Sequence, residues 1–233
     1  MIIGGFQKNT LIDYPGKIAA TVFTLGCNFS CPFCYSSELV LPEKIKNQPT
    51  ISEDYIFNFL LKRKDVLDGV VICGGEPTIQ KDIKKFIKRI KSFGLLVKID
   101  TNGYLPKVLE ELLKENLFDY IAMDIKAPKE KYKKYSGRNI DISRIEKSIN
   151  FLKSLPEEVD FEFRTTIAPG ISKKDILSIV NWIKPAKKYF LQEFLSTKEI
   201  INPNLKEMPV LSREEIEKIV KEISLNFDIC KIR

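Results

Sequence analysis

Six short apolar runs rich in β-branched residues recur along this chain, each followed by a longer stretch of helical period. No other feature restricts the fold as strongly, because such alternation is the pattern of repeated strand-helix units. The runs are IAATVFTL (18–25), GVVIC (69–73), LLVKID (95–100), YIAMDI (120–125), VDFEFRTTI (159–167) and KYFLQEF (188–194). Most are nearly continuous in apolar character, which predicts parallel strands covered on both faces. Helical stretches lie near 52–65, 80–92, 105–116, 141–154, 172–184 and 212–225. Ser52, Ser172 and Ser212 stand where helix N-caps are needed, and Ser212 with Glu215 has the spacing of a capping box. FDICKIR at the end reads as a last short edge strand. Right-handed crossovers would curl six such units into an open barrel or a doubly wound sheet. Polar residues after every strand favour a partial (β/α)6 TIM-type barrel with a parallel sheet, formed as a single domain over residues 1–233.

Composition narrows the class. With 44% hydrophobic and 30% charged residues the chain reads as globular, and at 233 residues it can bury one substantial core. No apolar run reaches the 18 or so residues of a membrane span, so no membrane association is expected. The opening MIIGGFQKNTLIDYPGK shows no basic segment followed by an apolar one and a cleavage site, so a cytoplasmic location is expected. The net charge of +7 is dispersed over many lysines, which favours an acidic partner surface and gives no reason to expect nucleic acid.

The five cysteines are an odd number, and three of them, Cys27, Cys31 and Cys34, fall within the stretch GCNFSCPFCY. That is a poor disulfide framework and a better metal or cluster pattern. Three thiolates on one tight loop can hold three corners of a four-iron cubane, leaving the fourth iron open for another ligand. The alternative is zinc completed from elsewhere in the chain. The absence of histidine, and the distance of Cys73 and Cys230 in sequence, favour the cluster.

This C-x3-C-x2-C loop, set immediately after the first of the six strands and carrying an aromatic at Phe33, resembles that of the radical S-adenosylmethionine enzymes. The resemblance implies a 4Fe-4S cluster whose open iron chelates the amino and carboxylate groups of S-adenosylmethionine. Reduction of the cluster then splits the sulfonium to give a 5'-deoxyadenosyl radical. The next strand ends in CGGEPTIQ, where Gly74 and Gly75 permit close backbone approach and Glu76 offers a carboxylate. Alone this is a turn with an ordinary acid; after a cluster loop, Gly74, Gly75, Glu76 and Pro77 resemble the motif that holds the methionine amino group. Cys73 reads as a buried small side chain and not as a fourth ligand.

The third strand ends in DTNG and the fourth in MDIKAP. Asp100, Thr101 and Asn102 at one mouth, and Asp124 with Lys126 at the next, are by themselves turn and salt-bridge residues. Period two places Asp124 and Lys126 on one side of the strand, facing inward if Met123 and Ile125 pack against the helices. Together these motifs are similar to those of the glycyl-radical enzyme activases. That resemblance implies contacts to the cofactor's ribose and carboxylate, and a monovalent cation held by Asp100 and Asp124. Arg164, in FEFRTT, has a family counterpart in a cofactor-binding arginine; an interior cation neutralised by Glu162 is the alternative. The activase pattern carries a histidine near the sixth strand, which this chain lacks, and Gln192 is the nearest polar candidate there.

LIDYPGK and the chain length resemble the activating proteins of anaerobic ribonucleotide reductase. The expectation is therefore a radical S-adenosylmethionine domain over the whole chain that creates a glycyl radical on a partner enzyme, with electrons from flavodoxin or ferredoxin. No catalytic residue is expected beyond the cluster and cofactor. Lys129, Lys131, Tyr132, Lys133, Lys134 and Arg138, on the segment APKEKYKKYSGRN, read as a loop that either receives an acidic partner or is merely solvated. STKEIINPNLKEMP (196–209) reads as a second long loop on the same face. Competing expectations are a radical enzyme acting on a small molecule such as a modified-base precursor, and a non-catalytic electron carrier.

Overall fold

The computed structural model describes all 233 residues. Eight strands form one sheet in the order of the sequence: β1 (Ile3–Thr10), β2 (Ala19–Thr24), β3 (Gly69–Gly74), β4 (Leu96–Thr101), β5 (Tyr120–Asp124), β6 (Asp160–Thr166), β7 (Ala186–Gln192) and β8 (Phe227–Ile232). A doubly wound sheet would reverse its strand order at a switch point. This one never does, so the chain winds progressively in one direction. β2 to β8 are parallel, whereas β1 pairs antiparallel with β2. β1 and β8 do not pair, so the barrel stays open.

The helices are α1 (Ser37–Val40), α2 (Pro42–Ile45), α3 (Glu53–Arg63), α4 (Ile83–Lys91), α5 (Pro106–Lys114), α6 (Tyr132–Ser136), α7 (Ile142–Lys153), α8 (Lys173–Ile183) and α9 (Arg213–Ile223). The six expected helices are all present, each within a few residues of its expected limits. α4 buries Ile83, Phe86, Ile87 and Ile90, and α8 buries Ile176, Ile179, Val180 and Ile183, both at the 3.6-residue period of a stripe facing a sheet. Each fully buried side chain of this size contributes about 1.5–3 kcal/mol. The Ser212–Glu215 capping box forms as expected, and Ser172 forms a second one with Asp175.

The short edge strand expected at FDICKIR forms as β8, parallel to β7, whereas two departures from the sequence reading have physical causes. β1 was not anticipated, because IGGFQKNT contains two glycines and no apolar alternation; it is an edge strand that exposes Gln7, Lys8 and Asn9. The segment 127–139 is not a solvated loop: it contains a 3-10 turn (Lys129–Lys131) and α6, which bury Tyr132 and Tyr135.

The main apolar core lies between sheet and helices. Inside the barrel the only apolar cluster is small, formed by Tyr14, Ala19, Val71, Tyr120 and Ala122 near the amino ends of the strands. Tyr14, from the LIDYPGK turn, meets Tyr120 edge to face at 5.8 Å. It thus closes the barrel floor and leaves the opposite end for polar side chains. Tyr14→Ala should cost about 3 kcal/mol, as for other large-to-small changes of buried aromatics. Urea unfolding of the apoprotein checks this, and an unchanged midpoint would show that the floor does not depend on Tyr14.

Candidate functional site

The inward-facing residues of β4, β5 and β6 follow period two, and above the floor they become charged. Lys98, fully buried, pairs with Oδ1 of Asp100. Arg164 donates from Nη1 to Oδ2 of Asp100 at 2.8 Å and from Nε to Oδ1 of Asp124 at 2.8 Å. Lys126 completes the row by donating to Oδ2 of Asp124 at 3.1 Å. The result is an alternating chain of five charges, Lys98, Asp100, Arg164, Asp124 and Lys126. Met123 and Ile125 are fully buried, so the expected inward placement of Asp124 and Lys126 follows from packing.

Burial alone would raise the pKa of both aspartates, but their cationic partners outweigh it. Asp100 is lowered, and Asp124 is held at about 2. Burial alone would lower Arg164 and Lys126, and the carboxylates reverse that too. Each of the four carboxylate oxygens already accepts from a cation. A monovalent cation between these acids would have to use their remaining lone pairs against the like charge of Lys98, Arg164 and Lys126. Glu162 is not the partner of Arg164: it accepts from both Nη1 and Nη2 of Arg233 at 2.7 and 3.0 Å, and from the Tyr120 hydroxyl at 2.6 Å.

The cysteine loop begins at Gly26 and is bound to the turn after β3. Gly75 N donates to Thr24 O at 2.9 Å, and Glu76 N to Gly26 O at 2.8 Å. A Cβ on Gly75 would stand 1.9 Å from Gly26 O. Gly74 has a φ of 106°, and its Cβ would meet Thr24 N at 2.4 Å. The backbone that approaches these glycines is therefore the chain's own, the end of β2 at Gly74 and the start of the cysteine loop at Gly75. Glu76 is buried; burial raises its pKa, against bonds from Thr78, Thr101 and Asn102. Its Oε1 accepts from Thr78 N (3.1 Å), Thr78 Oγ1 (2.6 Å) and Thr101 Oγ1 (2.7 Å). Its Oε2 accepts only from Asn102 N, at 2.7 Å, and so retains a lone pair for another donor.

Both segments first read as loops brace the cysteine loop. Ser30 N donates to Ser136 O at 3.0 Å, Asn202 N to Pro32 O at 2.9 Å and Ile201 N to Cys34 O at 3.2 Å. Phe33 packs on Tyr135, and Phe29 on Tyr104.

The cysteines, the glycine turn and the charged row surround one cavity of about 310 Å³. Cys27, Cys31, Cys34, Gly74, Gly75, Glu76, Asp100, Thr101, Asn102, Asp124, Lys126 and Arg164 all line it. Pro77 and Gln192 do not. Pro77 is buried at the first position of the 3-10 turn that follows Glu76, where its fixed φ shapes that turn. Gln192 ends β7, and the cavity is walled by β2 to β6 only. Cys73 is half-buried on the wall, a correction to its reading as merely a buried side chain. Thr166 was missed altogether, although period two from Arg164 points to it.

No three acidic or thiol side chains converge closely enough to hold a single metal ion. The three thiols line one cavity, which fits a cluster held at three corners. Burial pushes the Cys27 thiol up to about 12 and Cys31 to about 11, and it raises Cys34 as well. Bare thiolates are thus unfavourable here, and a bound cationic group would supply the missing compensation while releasing protons.

Comparison with known proteins agrees with this geometry. The family model of the Radical SAM superfamily matches residues 21–183. A protein of Methanocaldococcus jannaschii that carries the name of a glycyl-radical enzyme activating enzyme is 35% identical, with 100% of this chain and 95% of that protein covered. A GTP 3',8-cyclase of Aliarcobacter butzleri is 26% identical, covering 97% of this chain and 67% of the cyclase. Among solved structures, TYW1 with a lysine-pyruvate adduct bound superposes with a TM-score of 0.65 at 19% identity, covering 90% of this chain and 74% of that one. The last match concerns the fold alone.

Two outcomes are expected of the apoprotein. Gly75→Ala should force the turn and the cysteine loop apart, at about 1–3 kcal/mol as for other overpacked sites. It should also speed reaction of Cys27 with a thiol reagent; unchanged stability and reactivity would refute the close approach. The second outcome concerns pH. A carboxyl whose folded pKa lies below its unfolded value of about 3.9 adds stability that is complete above that value and is lost as pH falls through the folded pKa. Urea stability should therefore drop between about pH 4 and the Asp124 pKa of about 2, and Asp124→Asn should flatten that drop. An identical slope in the variant would contradict the charge row.

Proposed function

The chain belongs to the radical SAM superfamily, and from that premise we propose that it is an activase that creates a glycyl radical on a partner enzyme. The observation that carries this reading is the single cavity that joins three thiols to the glycine turn and the charged row, in a chain similar over its whole length to a protein named for that activity. Cys27, Cys31 and Cys34 would ligate a 4Fe-4S cluster, leaving one iron for S-adenosylmethionine. When bound, the cluster and cofactor supply reductive cleavage of a sulfonium and removal of a hydrogen atom from a glycine Cα.

The protein's part is to bind, orient and exclude water. The free lone pair on Glu76 Oε2 suits the methionine ammonium, held beside the close-packed Gly74 and Gly75. Lys98, Arg164 and Lys126 carry three positive charges against two on Asp100 and Asp124, so the row has one unbalanced cation for the methionine carboxylate. Nη2 of Arg164 makes no bond within the protein, and Lys126 lines the cavity. Thr101 and Asn102 complete the wall next to Glu76. No general base is needed. Lys133 and Arg138 are exposed next to the cysteine loop and would face an acidic flavodoxin or ferredoxin. The partner would be a glycyl-radical enzyme, anaerobic ribonucleotide reductase being the candidate that the LIDYPGK resemblance favours.

The match to a GTP cyclase favours a second reading, in which the same cavity serves a small molecule. One experiment separates the two. The protein is reconstituted anaerobically with iron and sulfide, reduced, and given S-adenosylmethionine with or without candidate glycyl-radical enzymes. We expect 5'-deoxyadenosine and, on the partner, a carbon-centred doublet in electron paramagnetic resonance. Replacing any of Cys27, Cys31 and Cys34 by Ala should lower bound iron and leave no product above background. Turnover of a small molecule without a partner would favour the second reading; absence of a cluster in the wild type would end both.

A further inference from the structure

Pro77 and Thr78, in the stretch GGEPTIQ, stand behind the cavity wall and not in it. Glu76 caps the 3-10 turn Pro77–Ile79, and its own side chain accepts from Thr78 N at 3.1 Å. Pro77 has no N–H, so the first donor that the turn can offer Glu76 is that of Thr78. The Thr78 hydroxyl donates to the same Oε1 at 2.6 Å, and the Thr101 hydroxyl, from the end of β4, donates to it at 2.7 Å. Gly103 N donates to Thr101 Oγ1 at 3.1 Å, which leaves the one Thr101 proton for Glu76. Both threonines are β-branched and buried, so their hydroxyls have little freedom. Three donors exhaust Oε1, whereas Oε2 has only Asn102 N, at 2.7 Å. Glu76 itself lines the cavity, so the oxygen with capacity left is the one available to a ligand there.

We infer that Thr78 and Thr101 are positioning residues that act through Glu76: by holding one carboxylate oxygen they fix the other as a single acceptor and set the site's preference for a ligand with a cationic amino group. This rests on the cofactor reading given above, in which that group is the methionine ammonium. The terminal torsion of a glutamate side chain is broad, so an unheld carboxylate would present neither oxygen at a fixed angle. Here the clamp joins two strand ends, since Thr78 follows β3 and Thr101 closes β4. Lys98, Arg164 and Lys126 make their hydrogen bonds to Asp100 and Asp124 and none to Glu76, Thr78 or Thr101. Loss of a threonine hydroxyl would therefore weaken the hold on the amino group of the ligand and leave the charged row intact.

The test compares two ligands on the reconstituted, unreduced protein by equilibrium dialysis: S-adenosylmethionine, and an analogue with hydrogen in place of its α-amino group. Val is close to Thr in shape and lacks the hydroxyl. Thr78→Val and Thr101→Val should each weaken S-adenosylmethionine about tenfold, the effect of one hydrogen bond to a charged group, and leave the affinity for the analogue unchanged. Thr78→Ser keeps the hydroxyl and should restore the wild-type preference. An equal loss for both ligands would mark a merely structural role and overturn the inference. So would an unchanged affinity for S-adenosylmethionine in a Val variant that assembles its cluster, or a Ser variant no better than Val. Loss of the cluster in both Val variants, which lie in different segments, would likewise show a structural role and overturn it. If the wild type bound no S-adenosylmethionine, the cofactor reading itself would be refuted and not this step alone.

Discussion

Arg164 reaches across from β6 and binds Asp124 on β5 and Asp100 on β4 with one guanidinium, and the polar half of the barrel depends on this bridge. Charged groups out of water are tolerated only when paired, and removing one partner of a buried pair costs about 3–5 kcal/mol. Here each aspartate has two cations, and the planar fork of Arg164 allows two carboxylates to be served at once. The row spans three adjacent strands, so it fixes their relative heights at the end where the cavity opens. Below it, Glu162 is satisfied separately by Arg233 and Tyr120, with the Arg233 guanidinium lying over Phe190. The barrel interior is thus an apolar floor carrying two ionic assemblies, and the upper one forms part of the cavity wall.

A second constraint is the fit of the cysteine loop to its surroundings. Three segments distant in sequence hold it: the glycine turn at 74–76, the end of α6, and residues 201–202. All three make backbone hydrogen bonds to it, so main-chain geometry sets much of its shape, with Phe29, Phe33 and Asn28 adding side-chain contacts. This is the preorganisation expected where three ligands must meet one cluster without reorganising. The close approach at Gly75 explains why two glycines are needed together. One provides a left-handed backbone, the other leaves room for a carbonyl oxygen.

The two constraints meet at Asn102. Its backbone holds Glu76, its side-chain oxygen is held by Tyr104, and its side-chain nitrogen directs Asn28. The cysteine loop, the glycine turn and the end of β4 are thereby joined through one residue. A reading of DTNG as only a turn would have been correct about its local geometry and would have left out this connection.

Much was legible in the sequence because it depends on near neighbours. Strand and helix alternation follows from side-chain periodicity, caps from Ser and Glu three residues apart, and the three thiols from a spacing that can only be a tight loop. Gly74, Gly75, Glu76, Asp100, Thr101, Asn102, Asp124, Lys126 and Arg164 line the cavity because they stand at strand ends or just past them, and parallel strands put their ends together; the three cysteines join them from the loop that follows β2. What the sequence could not settle are contacts between distant segments. Arg164 chooses Asp100 and Asp124 over Glu162, which is nearer in sequence, because Glu162 and Arg164 lie on successive levels of the same strand face. Gln192 misses the cavity because β7 lies beyond its wall, and the segment at 127–139 is a brace because Tyr132 and Tyr135 find a core to enter. Periodicity and spacing determined which groups face the barrel mouth. Pairing among them, and the direction in which Asn28 points, waited on the tertiary structure, since a hydrogen bond or buried ion pair is chosen by distance in space and by what else competes for the same partner.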